Sequence, residues 1–446
     1  MSSRSLPLGK GAKKRTKKRA RPLPPEYNLL LTATLCLLAL GAVMVFSASS
    51  TTRVLQDGGL SDSAFYLKRT LLFGAVGLLI MHLTARHGLR MVREITPLLL
   101  GGSIFLLLAV LAVGTEVNGA TRWLGGGFLQ VQPSELAKVA LVLYAADLLA
   151  RKPKRAQSLE GIMPILLVVG ASSLLMMLQP DMGTTMVTTF AVGATLVAAG
   201  ARPADLGKIA LGIAVLALLM AVVEPYRMAR LTSFLNPSAD AAGAGFQAAQ
   251  AKIALGSGGL FGVGIGNGVQ KAFYLPEAHT DMISAVIGEE LGLVGITGVV
   301  GLFALFGYAG LKTAQKAKDN YGKILVAGLT SLVLVQATIN LFAVMGMAPL
   351  TGVPLPFVSY GNSSLMATLF AVGLILNVAR GGRATAARGS TATGAGKLRL
   401  VQGGGAPARE KRSRSSGARK AKSGGSGGGN RGARRSRHGG RRRASG

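Results

Sequence analysis

LLLTATLCLLALGAVMVFSAS, residues 29–49, carries no charged side chain from end to end. A hydrocarbon core about 30 Å thick is crossed by about 20 apolar helical residues, so the stretch predicts a membrane-spanning helix. It follows a basic segment, Met1–Pro25, with nine Lys or Arg and no acid. Basic-then-apolar also describes a secretory leader, but the run outlasts the apolar core of one and further runs follow it. The expectation is a retained first span.

Working outward, apolar runs of similar length centre on 67–85, 95–114, 135–150, 161–179, 183–200, 206–223, 282–310, 324–345 and 363–379. They predict an all-α polytopic membrane protein with about ten transmembrane helices. Composition agrees: 49% of the 446 residues are hydrophobic, 15% are charged and mean hydropathy is +0.43. A soluble domain carries about 25% charged residues. The single cysteine, Cys36, excludes an intrachain disulfide and is expected as a buried thiol in the first span.

The net charge of +32 is concentrated at the ends. Residues 380–446 hold 19 Lys or Arg against Glu410 alone, so the two tails account for +27 of it. Net charge by itself suggests nucleic acid; its location argues against that. The expected organisation is a basic disordered tail over 1–25, a membrane domain over 26–380 and a second basic, Gly/Ser/Arg-rich disordered tail over 381–446. Each basic residue near an anionic lipid surface contributes about 1 kcal/mol, which makes membrane lipid the expected tail partner. A docking tail for an acidic cytoplasmic partner or for nucleic acid is the alternative.

Orientation follows from the short connections. Arg86, Arg90 and Arg93; Arg151, Lys152, Lys154 and Arg155; Arg202 and Lys208; and Lys312, Lys316, Lys318 and Lys323 all fall on one side, shared with both tails. That side is predicted cytoplasmic. The opposite loops are 50–66, 115–134, 224–281 and 346–362, the longest lying between the seventh and eighth helices.

Four segments bear chemistry. In NGATRWLGGGFLQVQPSELAK (118–138), Pro133 and Ser134 open a helix on which Glu135 and Lys138 are neighbours at i,i+3. Ionisable groups inside a membrane span are costly and need a reason. An ion pair that locks helices together is one; a polar cavity shared with Arg122 and Trp123 is the other. Asp147 and Arg151 read as a plain ion pair. In QPDMGT (179–184), Asp181 either caps the following helix or adds a carboxylate to that cavity. In the long loop, GSGGLFGVGIGNG (256–268) superficially suggests a phosphate cradle, but no strand precedes it and no Walker lysine–hydroxyl pair follows. No nucleotide site is expected, only a flexible or re-entrant loop. Asp281 then stands where the loop becomes a helix, above a stripe of small residues including Gly288 and Gly292. The stripe reads as close packing or as a lipid-accessible groove. Glu290, opposite the stripe, is expected to pair with another helix. In PLTGVPLPFVSYGNSS (349–364), three prolines impose an ordered loop presenting Ser359, Tyr360 and Asn362.

These segments, in order from Leu29 to Asn377, resemble the SEDS family (shape, elongation, division and sporulation). YLPEAHTD and GEELG are similar to its FtsW branch rather than its RodA branch. The resemblance implies an inverting peptidoglycan glycosyltransferase in the bacterial inner membrane, at the division septum, polymerising lipid II with a class B penicillin-binding transpeptidase and other divisome proteins. It implies that Asp281 is the essential loop aspartate, and carries functional roles onto Glu135, Lys138, Arg122, Arg227 and Arg230. Asn362 departs from the family's second glycine after SYG, and Met282 from its phenylalanine.

The chemistry wants a base for the attacking hydroxyl and positive charge for the departing diphosphate. Asp281 is the candidate for the first; Arg122, Lys138, Arg227, Arg230 and Lys271 are candidates for the second. Trp123, Glu135, Asp181, Ser359 and Tyr360 complete the expected substrate site. One tension is visible. A helix N-terminus lowers a carboxylate's basicity, so Asp281 is alternatively a ligand for Mg²⁺ or another divalent cation against the diphosphate. Rival classes are a lipid II flippase, which requires essential ionisable groups through the full membrane depth, and a non-catalytic divisome scaffold, which tolerates loss of Asp281.

Overall fold

A computed structural model of the chain describes residues 23–56, 63–117, 120–127, 130–223, 234 and 244–382. Both basic tails, and Arg227 and Arg230, lie outside the described residues. The helices are α1 (Pro25–Gln56), α2 (Phe65–Val113), α3 (Pro133–Arg151), α4 (Leu159–Leu178), α5 (Met182–Ala198), α6 (Pro203–Val223), α7 (Ala244–Ser257), α8 (Gln270–Phe273), α9 (Ile283–Gln315), α10 (Asn320–Val344) and α11 (Asn362–Ala379). Between α2 and α3, strands β1 (Thr115–Val117) and β2 (Ala120–Trp123) form an antiparallel hairpin.

Among the described residues six helices are long and apolar enough to cross a membrane: α1, α2, α4, α9, α10 and α11. The helix α5 is apolar but shorter. The runs expected as separate spans at 67–85 and 95–114 are two legs of one element, α2. It is not straight. Ile80 of the first leg shares a cavity with Leu98 and Leu106 of the second, although a straight helix would hold Ile80 and Leu106 about 39 Å apart. The element turns back in its middle, where Arg86, Arg90 and Arg93 cluster and Pro97 removes a main-chain donor.

Polar contacts sort the bundle into two ends. At one, Arg93 reaches Asp147 at 2.6 Å and lies over the Tyr321 ring, Arg151 bonds the same carboxylate at 2.8 Å, and Lys316 pairs with Glu26. This is the basic end. At the other, Arg69 near the start of α2 donates to the Gly127 carbonyl, and Tyr360 N donates to the His279 carbonyl. This is the loop end. The expected Asp147–Arg151 pair is present, with Arg93 added from a helix 54 positions away. The core between the ends is aliphatic, with Leu30, Leu37, Leu141, Leu325 and Leu374 wholly buried.

Cys36 departs from expectation: it is exposed on the outer face of α1, beside exposed Leu35, a face that suits lipid tails.

The glycine-rich stretch resolves the two readings of the small-residue stripe. In α9 the backbone breaks at Gly292 (φ 66°). The broken turn's N–H groups and carbonyls find partners in the loop. Val263 N and Gly264 N donate to the carbonyls of Glu289 and Glu290, while Leu293 N and Val294 N donate to those of Gly259 and Leu260, all at 3.0–3.1 Å. Exposed backbone polar groups are not tolerated at membrane depth, and this exchange leaves none of the eight unpaired. Gly288 meets Leu255 of α7, and a side chain at Gly292 would strike Leu260 and Gly262. The stripe is a packing surface, not a groove. The loop so anchored presents Leu260, Phe261, Ile265 and Val269 outward, as a re-entrant segment does.

Candidate functional site

Asp281 lies two residues before α9, whose first helical residue is Ile283 and whose cap is Met282. It therefore stands one residue before the cap, beside the N-terminus of α9. Its carboxylate is half-buried. The Thr280 hydroxyl lies 3.2 Å from Asp281 Oδ1 and 3.0 Å from Glu277 Oε2, so one hydroxyl stands between two carboxylates.

What holds Asp281 is a residue with no motif around it in the sequence. Asn340, buried in α10, donates from Nδ2 to the main-chain carbonyls of Asp281 (2.7 Å) and Val353 (2.8 Å). Its Oδ1 accepts from Ser284 Oγ at 2.9 Å. Both amide donors and the amide oxygen are used to join α10, the start of α9 and the proline-rich loop. A polar residue at the apolar level of a span is the only sequence signal that marks it.

Beside Asp281, Tyr66, His279 and Tyr360 form an aromatic group. Tyr66 is 4.3 Å from His279 and 4.8 Å, edge-on, from Tyr360. Tyr66 comes from α2 and escaped the sequence reading. Ser359 is used differently than expected: its hydroxyl accepts from Leu355 N at 2.8 Å and closes the turn that presents Tyr360. It serves loop geometry. Asn362 is buried as the first residue of α11.

The pair Glu135–Lys138 exists, at 2.6 Å and with both side chains 2% exposed. Lys138 Nζ also donates to Gln336 Oε1 at 2.6 Å, and Gln336 Nε2 donates to the Pro354 carbonyl at 2.9 Å. The pair is thereby linked to the same proline-rich loop that Asn340 grips. A buried pair is satisfied only when such extra hydrogen bonds complete it. On another face of α3, Leu136 and Val139, with Met366 and Phe370 of α11 and both legs of α2, line an apolar cavity of about 400 Å³.

Asp181 is buried and caps α5, accepting from Thr184 N at 3.2 Å. It also accepts from Ser134 Oγ at 2.9 Å and Gln132 Nε2 at 3.1 Å. Its oxygens brace the start of α3 against the start of α5. Arg122 donates to the carbonyls of Gln179 and Pro180 in the same turn. Trp123, half-buried, closes the hairpin opposite Thr115.

Lys271 lies in an ion pair. Rather than facing an open loop, its ammonium is buried against Glu290 Oε1 at 2.5 Å and Ser47 Oγ at 2.9 Å. Glu290 accepts from Ser47 as well, so the expected partner of Glu290 is a loop lysine joined to α1. Its neighbour Glu289 accepts from Val269 N and Gln270 N at the start of α8. The structure thus brings Asp281, Tyr360 and, through Gln336, Glu135 and Lys138 around one proline-rich loop. Lys271 belongs to a separate ion pair.

Known proteins extend the picture. The chain is 42% identical over 358 residues to stage V sporulation protein E of Bacillus subtilis, covering 79% of this chain and 96% of that one. It is 39% identical over 363 residues to a probable peptidoglycan glycosyltransferase FtsW of Trichlorobacter lovleyi, covering 80% and 94%. In structure it matches a chain of a peptidoglycan synthase complex that coordinates polymerization and crosslinking, with TM-score 0.65 at 29% identity over 79% of this chain and 96% of that one. The family model described as a cell cycle protein, for FtsW, RodA and SpoVE, matches residues 27–384. With its membrane-spanning bundle and motifs in register, the chain belongs to the FtsW, RodA and SpoVE family.

Proposed function

We propose that this chain is a multi-pass inner-membrane glycosyltransferase that polymerises lipid II into β-1,4 glycan strands, releasing undecaprenyl diphosphate, for the septal wall of a dividing cell. The observation that carries the reading is Asp281: a half-buried carboxylate at the loop end, its main chain gripped by Asn340, in a chain with a relative named as a peptidoglycan glycosyltransferase. The basic end is cytoplasmic in this reading, the loop end extracytoplasmic, and the spans number about ten.

In the reaction the 4-hydroxyl of the acceptor GlcNAc attacks C1 of the donor MurNAc. The new O4–C1 bond forms as the C1–oxygen bond to the diphosphate breaks, and the hydroxyl proton passes to Asp281. One displacement turns an α-linked donor into a β-linked product, so no carboxylate nucleophile is required. Tyr66, His279 and Tyr360 offer ring surface for sugar beside the base. The cavity between α3, α11 and the legs of α2 is apolar and suits a polyprenyl chain.

Lys271 and Lys138 are held in ion pairs and Arg122 donates to the Gln179 and Pro180 carbonyls, so the arginines assigned to the leaving diphosphate in this reading are Arg227 and Arg230, with Arg122 at the edge of the site. Among the described residues no cluster of three or more His, Cys, Asp or Glu forms. Asp281 and Glu277, bridged by Thr280, nonetheless fit a magnesium-type cation, which takes one or two carboxylates and keeps several waters. Such a cation would supply charge neutralisation of the diphosphate. A class B penicillin-binding transpeptidase is the proposed partner, supported by the structural match to a synthase complex chain.

The test is polymerisation of lipid II by purified chain plus its transpeptidase partner. Asp281→Asn is expected to abolish glycan product while leaving the protein folded and membrane-inserted. Full product from Asp281→Asn sinks the reading and favours a scaffold.

A further inference from the structure

At the basic end, the elbow of α2 and the C-terminus of α11 enclose a second cavity, about 320 Å³, of opposite character to the apolar one. Arg86, His87 and Arg90 of α2 and Arg380 after α11 line it. Its floor is built. Asn377 Nδ2 donates to the carbonyls of Thr84 and Ala85 at 3.0 and 3.1 Å, clamping α11 to the elbow. The carbonyls at the end of α11 are met by the N–H groups of Arg380, Gly381 and Gly382, so they do not compete for the cations.

Among the described residues no carboxylate lines this cavity. Arg90 pairs with Glu94 one turn on, on an exposed flank where such a pair contributes little, and Arg380 lies over the Tyr27 ring. Three arginines thus line one void, Arg90 shared with Glu94 and Arg380 with the Tyr27 ring, and an anion entering it meets an excess of positive charge. Guanidinium forks match phosphate oxygens two at a time. The elbow joins two apolar legs, which sets the cavity at the level where a span meets headgroups, and basic pockets between spans at that level take phospholipid headgroups.

We propose that this cavity is a phosphate-binding site, filled in the membrane by the headgroup of an anionic phospholipid. It is distinct from any diffuse attraction of the basic tails, because it is a shaped pocket on the folded bundle. It is also remote from Asp281, which lies at the opposite end.

The test uses the full chain purified in neutral detergent. Lipid retention by native mass spectrometry and melting temperature are read with short-chain phosphatidylglycerol, phosphatidylcholine or inorganic phosphate. Phosphatidylglycerol is expected to bind and stabilise, and Arg86→Gln/Arg90→Gln/Arg380→Gln to bind it about a hundredfold more weakly, each basic residue contributing about fivefold. A control that removes three charges elsewhere, Lys152→Gln/Lys154→Gln/Lys323→Gln, is expected to bind as the parent does. Inorganic phosphate that protects the parent but not the pocket variant supports the site and assigns it to the free anion. Equal loss in pocket and control variants, no loss in the pocket variant, or equal retention of phosphatidylcholine overturns the proposal. Should the triple variant melt lower without lipid, Arg86→Gln alone, at an exposed side chain, gives the same reading.

Discussion

The side-chain amide of Asn340 donates a 2.7 Å hydrogen bond to the main-chain carbonyl of Asp281, across 59 positions of sequence. The same amide holds Val353 of the proline-rich loop. Asp281 is therefore held by α10, the helix that also grips Pro354 of the same loop through Gln336. Asn340→Leu removes both donors and leaves Ser284 without its acceptor. A displacement of about 1 Å at a reacting group costs about 10²-fold in rate. The expected outcome is a fall of about that size in kcat for lipid II polymerisation with KM little changed. Unchanged kcat in Asn340→Leu would show that Asp281 is positioned by other contacts.

Lys271 and Glu290 make a structural prediction where the sequence suggested a catalytic one. Each single variant, Lys271→Met or Glu290→Gln, strands or weakens a buried charge, and removing one partner of such a pair costs about 3–5 kcal/mol. The double variant Lys271→Met/Glu290→Leu is expected to recover most of that stability and to polymerise at the parental rate per folded molecule. Denaturation curves and single-turnover assays check both halves. A stable but inactive double variant would return Lys271 to the substrate.

Gly292 sits at φ 66° and ψ −160°, a region essentially reserved for glycine in which an L side chain costs about 1–3 kcal/mol, with loop backbone pressed against it. Gly292→Ala is expected to lower the melting temperature and to raise hydrogen exchange at Val263, Gly264, Leu293 and Val294, whose N–H groups form the exchanged bonds. Unaltered protection at those four amides would argue that the loop is held elsewhere.

Asp181 accepts three hydrogen bonds and is buried. Asp181→Asn keeps an acceptor for Thr184 N and is expected to retain most activity, whereas Asp181→Ala loses the cap and about 1–2 kcal/mol. Comparison of melting temperature with activity per folded protein decides. A well-folded, inactive Asp181→Asn would show that the charge itself is needed.

The helices were legible because membrane crossing imposes a length and an apolarity that composition alone reveals. Each expected apolar run falls within a helix. The Asp147–Arg151 pair and the Asp181 cap were legible too, since both act within one turn. Asn340, Tyr66 and the Lys271–Glu290 pair were not, because their partners are separated by up to 294 positions and leave no local spacing to read. Cys36 was misjudged for a related reason: within a span a uniformly apolar run does not say which face looks at lipid.

By itself the sequence determined that this is a membrane-embedded helical chain with basic ends, and that Asp281 is the acid to examine. Hydrophobic length, charge position and motif order are one-dimensional properties, and each survives without knowledge of packing. Only the tertiary structure decided what each polar group is for. Lys271 became a buried strut, Asp181 a brace and Asn340 the holder of Asp281. A buried polar group must be satisfied by whichever donor or acceptor the packing brings to it, and that partner is chosen in three dimensions.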